Sequence, residues 1–504
     1  MILIKDALTI EELVRVARLG EEVKLSEEAR KRIRKSREEV ETILKSGKIV
    51  YGINTGFGEF ANKIINKEDL RKLQKNLLIS HSCAVGSHLP IEIVRAMMLL
   101  RIQSLSHGYS GVREILIDTF IEMLNKGITP CVPEKGSLGA SGDLAPLAHM
   151  ALPLIGYGEV YFNGQLTTSK IAMEKASIKT IELAEKEGLA LINGTQMMCA
   201  IGALTVYDSL LLKKEADIAA SLTMEGLDGI KDAFKVELHA LRPHKGQIET
   251  AKNILDLLDG SEHITKGGDI RVQDAYSIRC IPQVHGASLD AINYAKNVIE
   301  VEMNSVTDNP IILEGGISIS GGHFHGQPLA LALDFLSIAV AELANISERR
   351  IERLVNSDLN KNSLPPFLTT MGGVNSGFMI AQYTAASLVS ENKVLCHPAS
   401  VDSIPTSMGQ EDHVSMGSIS ARKAMEVYYN SSRVIAIEML VAAQSIDLNK
   451  SGKSKNLGKK TKKAYDVIRD LIPFLEDDRE LYIDINKAAF LIDSKKVLEA
   501  VYEN

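Results

Sequence analysis

Hydrophobic positions recur with a helical period over five long stretches of the chain, 197–224, 285–306, 327–356, 376–395 and 415–445. Several exceed twenty residues and are apolar on more than one face, the pattern of helices buried all round. Proline spacing agrees. None of the 14 prolines falls within 154–242, 329–364 or 406–472, and an interior proline costs a helix roughly 3 kcal/mol. The first 190 residues differ: they carry shorter elements and more turns, with strands predicted near 47–53 and 158–167. The pattern predicts a mainly α protein. A smaller mixed N-terminal domain over 1–195 precedes a long central helical bundle over 196–504.

Composition narrows the class. Of 504 residues, 45% are hydrophobic and 24% charged, as expected of an ordinary globular protein. A net charge of -7 argues against nucleic acid as the main partner. The most apolar stretch, 329–346, is broken by Asp334 and Glu342, so no membrane span is expected. Five scattered cysteines form no CxxC pair, and the first residues lack a signal-peptide pattern. Both point to a reduced, cytoplasmic setting. The lysine-rich segment 449–463 reads as a surface loop or a solvated helix start.

Residues 136–148 read Gly-Ser-Leu-Gly-Ala-Ser-Gly-Asp-Leu-Ala-Pro-Leu-Ala, centred on Ala140, Ser141 and Gly142. Each type suits a backbone that cyclises on itself. Gly142 has no Cβ to hinder its amide nitrogen. Ala140 presents a small carbonyl, and Ser141 carries a hydroxyl that can leave as water. Attack of the Gly142 nitrogen on the Ala140 carbonyl, with loss of two waters, gives a methylidene-imidazolone. That ring is an electrophile of a kind no ordinary side chain supplies. The plain alternative is a Gly/Ser turn before a helix, with Asp143 and Pro146 as ordinary helix-start residues.

Other constellations carry chemistry less specifically. Tyr51-Gly-Ile-Asn-Thr-Gly-Phe-Gly58, after a short predicted strand, fits no nucleotide loop. It reads as a glycine turn with a packed tyrosine, or as a loop that presents Tyr51 as an acid/base. Gln273, Tyr276 and Arg279 recur at three-residue steps, as along one face of helical turns, and a partly buried arginine suits a carboxylate. Asn193, in Asn-Gly-Thr-Gln, offers an amide or is a turn asparagine. His323 and His325 form an HxH pair around Phe324, but HExxH and CxxC motifs are absent, so packing at a helix start outweighs a metal site. Glu411, in Gln-Glu-Asp-His, reads as a capping acid or as the partner of an imidazole. His81 ends an apolar run and is a core histidine or a second polar group there.

These motifs, in this order, resemble the aromatic amino acid ammonia-lyase family, from Tyr51 to beyond Ser415. Thr307-Asp-Asn-Pro310, the 187–196 run and the 399–405 run add to the likeness. Within the family, Glu411 and His81 resemble the histidine-acting branch, because a carboxylate and a histidine suit an imidazole and not a phenyl ring. Tyrosine- or phenylalanine-acting lyases and aminomutases are the near alternative. The resemblance implies deamination of L-histidine to trans-urocanate and ammonia. It implies a methylidene-imidazolone formed from Ala140, Ser141 and Gly142, with no metal or dissociable cofactor. Tyr51 would take a Cβ proton, Arg279 hold the carboxylate and Asn193 help orient it. Glu411 and His81 would position the imidazole, Glu411 being a second acid/base candidate, and Gln273, Tyr276 and Phe324 would line the site. A homotetramer with active sites shared between subunits is implied too.

Overall fold

All five apolar stretches form helices: Gln196–Gly226, Ile281–Met303, Gln327–Val355, Met379–Leu395 and Gly417–Leu448. The computed structural model describes residues 1–66, 68–449 and 455–503. Residues 434–443 are at most 1% exposed on every face, as their lack of a polar stripe predicts. Gln327–Val355 is long and apolar enough to cross a membrane by length and composition, yet 67% of its most apolar window is buried inside the protein. Of the lysine-rich segment, 459–463 begins helix Lys459–Leu471, while 450–454 lies outside the described residues.

Two compact units make up the chain. One comprises Met1–Tyr207, Ala295–Asp334 and Pro398–Arg422; the other comprises Asp208–Tyr294, Phe335–His397 and Lys423–Asn504.

The first unit holds small sheets among its helices. The strand predicted near 158–167 forms as two, Glu159–Phe162 and Gln165–Thr168, paired antiparallel as a hairpin. Its two-residue turn, Asn163-Gly164, has φ of 52° and 74°, the left-handed pair that matches strand twist. The strand predicted at 47–53 does not form. Gly47 ends helix Glu27–Ser46 at φ 71°, and Gly52 at φ 72° turns the chain again. Val50 and Ile53 instead drop into a cluster with Val40, Ile43 and Ile312. Burial of two apolar side chains three residues apart thus favours a turn over an extended run.

In the second unit, two buried ion pairs stand out. Asp217 accepts from Lys213 Nζ at 2.7 Å and faces His285 Nδ1 at 2.7 Å. Arg350 and Glu438, both fully buried, pair through two bonds, with Thr223 and Ser347 donating to the same carboxylate. Ions taken out of water are costly without such partners.

Candidate active site

Three helices of the first unit end at or start from the site. Leu70–His81 ends on His81, Glu187–Ile192 runs out into Asn193, and Ala145–Ala151 follows the Ala-Ser-Gly turn. The first two border a cavity of about 1130 Å³, which Ser141 and Leu144, just before the third, also line. Tyr51, His81, Ser141, Asn193, Phe324 and Glu411 all line it. Leucines and isoleucines such as Leu73, Leu77, Leu189 and Ile192 supply apolar wall between them. A few polar groups in a mostly apolar pocket is the usual form of a small-molecule site. Gln273, Tyr276 and Arg279 belong to the second unit. Only Tyr276 and Arg279 share a helical turn, Tyr276–Arg279, with Gln273 in the loop before it. The Arg279 guanidinium lies 4.5 Å from the Tyr276 ring centre, and its Nε has no hydrogen-bond partner among the described residues.

The Ala-Ser-Gly turn has the geometry that cyclisation needs. Gly142 has φ +77°, and its amide folds back to donate to the Ala140 carbonyl. This is a three-residue turn centred on Ser141. It brings the nitrogen beside the group that cyclisation would have it attack. A Cβ at position 142 would overlap the backbone of Gly194, so only glycine fits. Gly142 pairs with Gly194 in an isolated bridge, and Asp143 N donates to Gly194 O at 2.7 Å. Leu144 follows at φ 46°, ψ -90°, which leucine adopts only when its surroundings impose it. Ser141 Oγ donates to Glu411 Oε1 at 3.0 Å. The residues present therefore fit a ring built from their own backbone.

Asp143 does not cap the helix it precedes. It is fully buried, and its Oδ2 accepts from the amides of Met197 at 2.7 Å and Met198 at 3.4 Å, the start of helix Gln196–Gly226. Burial pushes its pKa up to about 7 against those amides. Sequence pattern alone missed this role, because the acid and the helix it caps are 54 residues apart.

Glu411 likewise does not open the long helix, which starts at Gly417. It closes a tight loop in which Thr406 and Glu411 pair: Thr406 N donates to Glu411 O at 3.1 Å, and Glu411 N to Thr406 O at 3.3 Å. Thr406 Oγ1 also donates to Glu411 Oε2 at 2.8 Å. Thr406 is a site residue that sequence reasoning passed over. Gly409 alone marked the turn in the sequence; the structure puts Ser407, Met408 and Gly409 all at positive φ.

Burial and charge set the remaining groups. Burial raises the Tyr51 pKa; the Gly58 amide, 3.5 Å from the phenol oxygen, opposes this and Glu411 adds to it. Burial lowers the His81 pKa, against the Leu77 carbonyl and Glu411. A neutral imidazole can both donate and accept; its Nδ1 lies 3.0 Å from Ser80 Oγ. Asn193 is buried with Oδ1 unpartnered among the described residues. Asn309 Oδ1 shapes the loop before Phe324, accepting from Ser320 Oγ at 3.2 Å and Gly321 N at 2.9 Å. His325 stacks on His413 at 5.9 Å between ring centres. Among the described residues no three His, Cys, Asp or Glu cluster as metal ligands would.

The family model of aromatic amino acid lyases matches residues 8–470. The chain belongs to the aromatic amino acid lyase family. This aromatic amino acid lyase is 59% identical over 497 residues to the histidine ammonia-lyase of Caldanaerobacter subterraneus subsp. tengcongensis, with 98% of the chain and 97% of the relative covered. The solved histidine ammonia-lyase from Trypanosoma cruzi superposes with a TM-score of 0.92 at 42% identity, covering 99% of this chain and 95% of that one. The tyrosine aminomutase from Streptomyces globisporus superposes with a TM-score of 0.94 at 38% identity, covering 99% and 98%. The mainly α fold read from the hydrophobic pattern is thus the aromatic amino acid lyase fold, and it is shared by family members that differ in reaction.

Proposed function

We propose that this lyase removes ammonia from L-histidine without oxidation, giving trans-urocanate, by means of a methylidene-imidazolone formed from Ala140, Ser141 and Gly142. The observation that carries the reading is the cavity wall that Glu411 and His81 share beside Ser141, with Glu411 Oε1 accepting from Ser141 Oγ at 3.0 Å. A phenyl or phenol ring would leave such groups short of partners on burial. The 59% identity to a histidine-acting relative, against 38% to a tyrosine-acting one, supports the same choice.

The ring supplies an electrophile that turns the substrate's amine into a better leaving group. Everything else falls to side chains. Glu411 Oε1 and His81 orient the imidazole, with Thr406 holding the other carboxylate oxygen. Asn193 helps to orient the substrate's carboxylate through its side-chain amide. Tyr51, once deprotonated, takes the Cβ proton, with Glu411 as the second candidate. Phe324 walls the substrate side chain. Arg279, with Gln273 and Tyr276 beside it in sequence, holds the carboxylate.

A homotetramer in which subunits complete one another's sites fits this assignment. In its support, Tyr276 is 71% exposed, and Ile380 and Tyr383 expose apolar surface on one helix. A cytoplasmic setting fits the five free cysteines.

The test is to offer the purified protein histidine, tyrosine and phenylalanine, with Ser141→Ala alongside. Urocanate absorbance from histidine alone is expected, lost in the variant together with a two-water mass deficit. Turnover of tyrosine or phenylalanine in place of histidine would overturn the substrate assignment.

A further inference from the structure

Arg101 lies within helix Ile91–Ser106, its side chain fully buried. Its Nη1 donates to the Asn193 carbonyl at 2.9 Å and to Gln196 Oε1 at 2.8 Å. Gln196 Nε2 donates in turn to Thr307 Oγ1 at 2.8 Å. A buried guanidinium ordinarily answers a carboxylate in a two-pronged pair. This one grips a backbone carbonyl and an amide, and its Nε and Nη2 have no hydrogen-bond partner among the described residues. Burial brings its pKa down to about 10, with Asp308 and Asp143 opposing, so it remains a cation at neutral pH.

The turn that Arg101 grips is the one against which Gly142 is pressed. A Cβ on Gly194 would overlap Arg101 Nη1, Gln196 Oε1 and Thr307 Oγ1. A Cβ on Gly142 would overlap Gly194 itself. Packing is therefore continuous from the guanidinium, through Gly194, to the nitrogen folded onto the Ala140 carbonyl. Close-packed interiors transmit displacement with little slack, and Asn193, Thr195 and Gln196 are all buried.

We propose that Arg101 is a positioning residue for ring closure: with Gln196 and Thr307 it clamps the 193–196 turn, so that Gly194 backs the Gly142 nitrogen against the Ala140 carbonyl carbon. This rests on the electrophile assigned above. In closure, a bond forms between Gly142 N and Ala140 C. The Ala140 oxygen leaves as water with the amide hydrogens of Gly142 and Ser141. The Ser141 hydroxyl leaves as a second water with the Cα hydrogen of the same residue. No oxidant is needed. Arg101 gives up no proton; it removes freedom that Gly142 would otherwise lose during closure.

The experiment makes full-length chains by cell-free synthesis and follows their intact mass with time, alongside thermal unfolding of the same samples. Arg101→Lys keeps the charge but cannot hold two acceptors in one plane. It is expected to fold and to lose the two waters slower by about tenfold or more. Thr307→Val removes only the outer acceptor and is expected to slow the loss by a smaller factor. Folded Arg101→Lys and Thr307→Val chains that lose both waters at the wild-type rate overturn the proposal, even where their unfolding temperatures fall. If the lysine variant does not fold, a wild-type rate in Thr307→Val overturns it alone. A wild-type chain that never loses two waters overturns the electrophile instead, a distinct result.

Discussion

Ser141 Oγ donates to Glu411 Oε1 at 3.0 Å across 270 residues of sequence. The hydroxyl that ring closure would expel is thus held by the carboxylate that, under the proposed function, later faces the imidazole. Loss of the hydroxyl vacates Oε1, while Oε2 stays bound to Thr406. Under that reading, one side chain would be occupied by the precursor and released by its maturation, and the site would be ready for substrate only once the ring had formed.

Thr406→Val should separate these roles. A hydrogen bond to a charged group contributes ~1.5–3 kcal/mol, so kcat/KM for histidine should fall by ~10- to 100-fold. The two-water deficit should persist, because Oε1 still meets Ser141. Thr406→Ser should restore most of the rate. Steady-state kinetics and intact mass on the same samples check both halves.

Tyr51 acts as a base only without its proton. Its pKa is raised from 10.0, chiefly by burial, opposed by the Gly58 amide and helped by Glu411. Activity should therefore keep climbing with pH above neutrality. Glu411→Gln removes one of the two influences that keep the proton on, so the limb in its residual activity should move to lower pH. A pH–rate profile in which the limb stays put would count against Tyr51 as the base.

Gly142→Ala should fail at two levels. Its methyl group meets the Gly194 backbone, and φ +77° is left-handed. Together these should destabilise the fold by roughly 2–4 kcal/mol. No chain should show the two-water deficit. Denaturant midpoints and intact mass give the readout.

Asp143 couples stability to pH. Its folded pKa of about 7 lies above the ordinary 3.8, because burial outweighs the Met197 and Met198 amides. The folded chain thus keeps a proton that the unfolded chain has lost. The stability this contributes is full below ~4 and disappears as pH rises through ~7, a change on the order of a few kcal/mol. Asp143→Asn cannot ionise, so its curve of Tm against pH should be flatter over that window. Parallel curves for the two proteins would assign the titration elsewhere.

Much of this was legible without coordinates. The five long helices follow from local physics, a 3.6-residue hydrophobic period and proline-free spans, and they formed within a few residues of their predicted bounds. Tyr51, His81, Ser141, Asn193, Phe324 and Glu411 were each visible as motif residues. What failed was local too: 47–53 is apolar enough for a strand, but left-handed glycines at 47 and 52 turn it into the core.

The amino-acid sequence by itself determined the mainly α fold and the chemical types at the site: a small carbonyl, a hydroxyl, an unhindered nitrogen, a carboxylate and an imidazole. Tertiary structure alone decided their contacts. It set Glu411 on Ser141, Asp143 on a helix start 54 residues away, and Arg101 on the turn behind Gly142. The physical reason is range. Propensity and periodicity act over one or two helical turns, whereas these bonds form only once burial has brought distant segments together and left each polar group to find a partner.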